Sequence, residues 1–387
     1  MRTAITIIIV TLALGFDHGP RVAQASAIQG LDSIHMIDAL TGWAVGTLGG
    51  LPYRGGVESI LHTTDGGTHW SDVTPASPSG RMISPNYDID VLTSLSAWVS
   101  ATPDTPTFDT IFLFHTVDGG RTWRNVIVPA RDELATGWTS VHFINPRDGW
   151  VLAKGIPHMG SADADIYRST DGGKTWNKAG STSDRLPGGQ QGDITFLYAT
   201  TGWLSGITIA TDSLYLYVTH DGGRTWQHQG LRLPPQVTSP WYSATGSPMF
   251  FTARDGILPV FYPYKAIPRW EIVFYATHDR GVTWGQTTPV LVDSYWDCPR
   301  DFADINHGWV VVGDALYMTG DGGRHWATLR PASPFAPVKQ IAFVSPQVGW
   351  AVRPIELSDG SPQIPPFLLK TVDGGRTWAP VVYTVSR

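Results

Sequence analysis

The stretch Ser169-Thr170-Asp171-Gly172-Gly173-Lys174-Thr175-Trp176 has the makeup of a tight reversal between two strands. An Asp side chain accepts hydrogen bonds from backbone N–H groups just downstream and so fixes a turn. Glycines supply the positive φ needed where a chain doubles back between antiparallel strands. Thr175 then starts the outgoing strand, and the indole of Trp176 is expected to bury against its neighbours. The pattern occurs seven times, with aspartates at Asp65, Asp118, Asp171, Asp221, Asp279, Asp321 and Asp373. A hydroxyl residue stands two positions before each: Thr63, Thr116, Ser169, Thr219, Thr277, Thr319 and Thr371. A tryptophan stands five positions after each: Trp70, Trp123, Trp176, Trp226, Trp284, Trp326 and Trp378. Seven equivalent carboxylates do not make seven general acids, so their expected role is structural.

A second motif alternates with the first. It reads Thr41-Gly42-Trp43-Ala44-Val45-Gly46 and recurs at Ala97-Trp98, Gly149-Trp150, Gly202-Trp203, Gly308-Trp309 and Gly349-Trp350, with a degenerate copy at Asp255-Gly256-Ile257. Upstream of it lies an alternating apolar segment, such as Val141-His142-Phe143-Ile144, and period-2 alternation reads as a strand. Each unit therefore has four strands: A is the alternating segment, B begins at Gly-Trp, C runs into the Asp turn, and D starts at its tryptophan. Successive turn tryptophans are 42 to 58 residues apart. Four-stranded units of that length, repeated radially, make a β-propeller. The expected fold is all-β, a seven-bladed propeller of four-stranded antiparallel blades, each with its Asp turn between the third and fourth strands. The blades fall at about 29–76, 84–128, 138–180, 191–232, 247–290, 298–331 and 338–387, inside one domain spanning 28–387. Every unit runs A to D with no strand lent from the other terminus, which leaves the closing contact of the ring open.

Composition agrees. Charged residues are 16 % of the chain, against about 25 % in typical domains, while 42 % are hydrophobic and 11 % aromatic. That excludes helical bundles and disordered acidic chains. The net charge of −6, with no basic block, excludes a nucleic-acid footprint. The segment 1–27 opens Met1-Arg2, continues with an apolar run from Ala4 to Phe16, and closes on Ala23-Gln24-Ala25-Ser26-Ala27. This is the pattern of a secretory signal peptide, since spanning a bilayer takes about 20 apolar residues. The mature chain is expected to be secreted or extracytoplasmic and not to span a membrane. Cys298 is the only cysteine, read as a small buried hydrophobe.

The Ser/Thr-x-Asp-x-Gly-x-Thr-Trp element resembles the Asp-box, or BNR repeat, of sialidases, sortilin-type receptors, xyloglucanases and the photosystem II assembly and stability factors. The Gly-Trp-x-Val-Gly strand paired with each box is similar specifically to the last of these. The likeness covers nearly the whole mature chain and implies a non-enzymatic scaffold of the sialidase-like superfamily fold that binds a protein partner. Three boxes depart from the pattern: Arg280 replaces the first turn glycine of the fifth, and His69 and His325 replace the threonine of the first and sixth.

In an up-and-down blade the A–B and C–D turns share one face, and the B–C and D–A loops share the other. Both repeated motifs lie on the first face, so the second carries the length variation and is the expected binding face. Trp138, Trp241, Trp270 and Trp296 belong to neither motif. Near the channel mouth the expected binding residues are Arg54, Arg131, Trp138, Trp241, Tyr242, Tyr264, Arg269, Trp296, Arg300 and Asp301. Aromatics with arginines suit a protein hot spot or a sugar platform. The alternative function is a glycan-directed hydrolase or lectin. A sialidase would need an Arg-Ile-Pro segment, of which Tyr53-Arg54-Gly55-Gly56 is a faint echo. A retaining glycosidase would need two carboxylates about 5 Å apart, and Asp88, Asp90, Asp193, Asp297 and Asp301 lie near strand A. No His-Glu-x-x-His spacing is present, and neither metal nor organic cofactor is expected.

Overall fold

Repeat 3 displays the strand logic in full. Trp138–Phe143, Gly149–Lys154, Ala164–Ser169 and Asn177–Ser181 form a four-stranded antiparallel sheet in chain order. Phe143, Gly149 and Ser169 share one row across the sheet, while Trp138, Lys154 and Ala164 share the opposite row. The Asp171 turn therefore leaves the end where Gly149 begins its strand, and the loop after Lys154 leaves the other. The protein, described by a computed structural model, is defined at residues 28–48, 57–76, 88–101, 110–130, 134, 138–156, 161–209, 213–237, 239–263, 269–294, 298–332, 335–354 and 367–386. The expected signal segment lies outside these residues.

Repeats 2, 6 and 7 build the same all-antiparallel sheet of four. Repeats 4 and 5 share one ten-stranded sheet, joined where Ile207 pairs with Ala244. The inner strand of repeat 5 is divided into Ala244–Thr245 and Met249–Phe250, both paired with Gly256–Pro263. Repeat 1 corrects an expectation, because its sheet has five strands. The tail Thr384–Ser386 lies parallel to His69–Asp72 and buries Val385 in the same core cluster as Trp70. An outer strand presents unpaired amides and carbonyls, and the tail satisfies them.

Inner strands of repeats 2 and 3, 3 and 4, and 6 and 7 are neighbours, and the inner strand of repeat 7 lies beside that of repeat 1. The Gln340 side-chain amide accepts from Ile34 N at 2.8 Å and donates to Ile34 O at 2.9 Å. Lys339 Nζ pairs with Asp32 at 3.0 Å, and the Trp350 indole donates to Gly66 O at 3.1 Å. The last repeat thus closes onto the first, as a propeller does and a linear stack of sheets does not.

Each Asp turn is a small hydrogen-bonded cage. In repeat 3, Ser169 Oγ accepts from Gly173 N at 2.8 Å and donates to Asp171 Oδ1 at 2.8 Å. Asp171 Oδ1 accepts from the Lys174 and Thr175 amides at 3.0 Å, and Thr175 Oγ1 donates to Oδ2 at 2.7 Å. The Thr175 amide and hydroxyl hold the Asp171 carboxyl well below its usual range. The departures keep this chemistry: His69 Nδ1 lies 2.5 Å from Asp65 Oδ2, and His325 Nδ1 lies 2.6 Å from Asp321 Oδ2. Arg280 adopts φ 72°, the left-handed backbone of the glycine it replaces.

Burial of the indoles differs from the sequence expectation. Of the turn tryptophans only Trp70 and Trp378 are buried, and the other five are half-buried. All six strand-B indoles are buried, Trp43, Trp98, Trp150, Trp203, Trp309 and Trp350. The reason is inter-repeat stacking. Trp150 stacks on Phe196 of the next repeat with centroids 3.7 Å apart and planes 5° apart. Trp98 stacks on Phe143 at 4.2 Å, and Trp309 on Phe343 at 3.6 Å. The far face of each phenyl covers the Gly of its own Gly-Trp, where an added Cβ would collide with the ring. Trp150→Ala is therefore expected to cost about 3–5 kcal/mol in urea unfolding, and Trp176→Ala distinctly less. Equal losses would contradict the stacking account.

Candidate functional site

The strand ends opposite the Asp turns converge on two adjoining cavities. The first, of 460 Å³, is lined by Lys154, Gln191, Gly206, Ile207, Ala244, Thr245, Phe261 and Arg300 among others. The second, of 540 Å³, shares Gly192, Thr245, Gly246 and Arg300 and extends past Asp193, Cys298 and Lys339. Nearly all of these residues begin a strand A or end a strand B: Gln191 pairs with Gly206, and Ala244 with Phe261. They therefore open toward the B–C and D–A loops, the face expected to vary.

Among the described residues, three cations line this mouth in different circumstances. Lys154 Nζ donates to the Gly192 carbonyl, and burial lowers its pKa against the opposing charges of Asp193 and Asp88 nearby. Lys339 is paired with Asp32. Arg300 donates to Cys298 O at 3.0 Å and lies over the Phe261 ring at 4.7 Å, with no carboxylate beside it among the described residues. Cys298 is buried, and burial pushes its thiol up to about 11, so it is inert packing as expected.

Of the singled-out residues that the structure describes, only Arg300 lines these cavities. Arg54, Arg131, Tyr264 and Trp296 lie outside the described residues, as does the side chain of Trp138. Arg269 is exposed just before strand C, faces Asp293 at 3.6 Å and does not line the cavities. Trp241 and Tyr242 are 57 % and 47 % exposed, edge to face at 5.8 Å. Their loop is fixed by Tyr242 N donating to Thr208 O and Ser243 N donating to Pro240 O, each at 2.9 Å. Tyr242 sits at φ 65°, uncommon for a residue with a side chain. Lys154, Gln191, Thr245 and Phe261 were missed, although each stands at the end of an alternating run, where a strand meets the variable face.

The carboxylates considered for hydrolysis have other work. Asp88 Oδ2 accepts from Val141 N at 2.8 Å and Asp90 Oδ2 from Phe143 N at 2.7 Å, so both clamp the inner strand of the next repeat. Asp301 Oδ2 accepts from Phe343 N at 2.6 Å and Oδ1 from Phe302 N at 2.9 Å. Asp193 Oδ1 accepts from Ile194 N at 2.8 Å, and Asp297 lies outside the described residues. The role given to Asp301 as a surface binding residue is thus replaced by one inside the wall. Backbone amides of a twisted ring leave gaps between inner strands, and an acceptor side chain fills them.

Burial pushes Asp88 and Asp301 up to about 7. An acid raised in the folded state contributes stability that is full below its unfolded pKa, near 4, and is lost as pH rises through the folded value. The turn aspartates act in the opposite sense, since hydrogen bonds from Thr122 hold Asp118 near 2 and that stability is lost only as pH falls below about 4. Melting temperature is accordingly expected to be higher at pH 5 than at pH 8. A profile rising monotonically to pH 8 would contradict the buried clamps.

Comparison with known proteins agrees with this architecture. The family described as "Photosynthesis system II assembly factor YCF48" matches residues 109–231. The photosystem II stability/assembly factor HCF136, chloroplastic, of Arabidopsis thaliana is 26 % identical over 282 residues, which cover 69 % of this chain and 61 % of that protein. The chain thus spans less than two thirds of that relative's length. The photosystem II assembly lipoprotein Ycf48 of Synechococcus sp. (strain CC9902) is 23 % identical over 301 residues, covering 68 % and 79 % respectively. A solved structure of YCF48 bound to D1 peptide overlays with a TM-score of 0.49 at 17 % identity, covering 87 % of this chain and 94 % of that one. Ring closure, the hydroxyl-Asp-Gly-Trp turns and the sequence likenesses together support a BNR-like β-propeller that resembles the photosystem II assembly factors.

Proposed function

We propose that this chain is an exported, seven-bladed propeller that binds a protein partner through its loop face, in a non-enzymatic, assembly-factor-like role. Counting the ten-stranded sheet as two blades gives one blade per Asp turn. Export rests on the apolar leader, Ala4 to Phe16, ahead of the small-residue segment. The assembly role is carried over from the named relatives, both of which are assembly factors.

The observation that carries the reading is the Trp241–Tyr242 pair, two exposed aromatic rings held rigidly on the side away from the repeated turns. Large aromatics cost little entropy to fix and dominate protein hot spots. Backbone held in the left-handed region costs on the order of 1–3 kcal/mol and concentrates at sites of function. The engagement of Asp88, Asp90 and Asp301 with backbone amides favours this over a glycan hydrolase.

Trp241→Ala is expected to abolish capture of an identified membrane-associated partner from native envelope, with melting temperature unchanged because the ring packs on little besides Tyr242. Undiminished capture by the variant would overturn the assignment of this pair. Turnover of any member of a glycoside panel by the purified protein would overturn the non-enzymatic role.

A further inference from the structure

Two buried polar groups at the channel mouth are incompletely satisfied, and they line the same 460 Å³ cavity as the half-buried Arg300. Arg300 uses one donor on Cys298 O and has no carboxylate beside it among the described residues. Thr245 Oγ1 is buried without a hydrogen-bond partner. Gln191 Oε1 is likewise buried without one, while its Nε2 donates to Pro187 O at 2.9 Å and so fixes the amide. Leaving such groups unpaired in a protein interior is costly, and native structures do so rarely. Two such groups beside the Arg300 guanidinium are placed to hold one solute between them.

The chemistry of that solute follows from the donor set. A guanidinium presents a planar fork that matches a carboxylate bidentately. The hydroxyl of Thr245 adds a further donor, and the carbonyl of Gln191 asks for an O–H or N–H from the ligand. The cavity wall is otherwise apolar, made by Phe261, Ile207, Ala244 and Ala162. The neighbouring cations do not compete for the anion on equal terms, because Lys154 donates to the Gly192 carbonyl and Lys339 is paired with Asp32. Its volume is within the range of about 300–1,000 Å³ typical of small-molecule sites.

We infer that this cavity is a binding site for a small organic hydroxy acid, its carboxylate on Arg300 and Thr245, its hydroxyl donating to Gln191, and its apolar body against Phe261. The site stands apart from the protein-partner reading, which rests on Trp241 and Tyr242 outside the cavity.

Calorimetric titration of the full chain with mandelate supplies carboxylate, hydroxyl and apolar ring together. Saturable binding is expected, weaker for phenylacetate, which lacks the hydroxyl, and weakest for phenylethane-1,2-diol, which lacks the carboxylate. Arg300→Gln is expected to lower mandelate affinity about tenfold or more, and Thr245→Val about fivefold. Thr245→Val is also expected to hold or raise the melting temperature, since it removes an unpaired buried hydroxyl. Absence of saturable mandelate binding would overturn the inference. So would a diol that binds as tightly as the acid, or a mandelate affinity unchanged in a folded Thr245→Val or Arg300→Gln. Trp241→Ala is expected to bind mandelate normally, so loss of partner capture and loss of acid binding are read separately.

Discussion

Stacking of a strand-B indole on the inner-strand phenyl of the next repeat is the contact on which the rest of this ring depends. Trp98 with Phe143, Trp150 with Phe196 and Trp309 with Phe343 lie within 5° of parallel at van der Waals separation. The indole N–H extends the contact by donating to a carbonyl in the neighbouring Asp turn, as Trp150 does to Gly222 and Trp309 to Gly374, each at 3.0 Å. The turn is rigid because its aspartate is saturated with donors, so that carbonyl is presented at a fixed place. Local hydrogen bonding in one repeat thus sets the docking of the repeat before it. At Trp203 a substitute appears: its indole donates to Gln229 Oε1 at 2.7 Å, and Gln229 reaches Gly281 O at 2.7 Å.

A ring assembled this way concentrates its repeated features on one face and leaves the strand ends of the other to converge without a fixed pattern. Along the wall between the faces, carboxylates from strand A bond to backbone amides of the next repeat, and their burial explains their high pKa values. At the mouth Thr245 Oγ1 and Gln191 Oε1 are buried without such partners, beside the half-buried Arg300. The contrast between satisfied wall and unsatisfied mouth separates structure from recognition more sharply than residue type does. Asp301 and Arg300 are adjacent in sequence and fall on opposite sides of that division.

Much of this was legible beforehand. Periodicity revealed the strands, and fixed offsets around seven aspartates revealed the turns, because both depend on interactions within a few residues. The hydroxyl two positions before each aspartate was visible as a pattern, although its bond to the glycine amide was not. Long-range consequences were harder to read. Which indole is enclosed depends on the next repeat, so Trp176 was expected to be buried and is half-exposed while Trp150 is sealed. The parallel tail strand Thr384–Ser386 depends on an edge more than 300 residues away in sequence. Aromatics drew attention to Trp241 and Tyr242, but Gln191 and Thr245 carry no sequence signal beyond standing at strand ends.

A double-mutant cycle between Trp150 and Phe196 tests the central contact most directly, with each replaced singly and together by leucine and unfolding followed in urea. Stacking across repeats predicts a coupling of about 0.5–1.5 kcal/mol beyond the loss of buried area. Additive losses, with coupling indistinguishable from zero, would contradict it and leave the repeats held by unspecific burial alone.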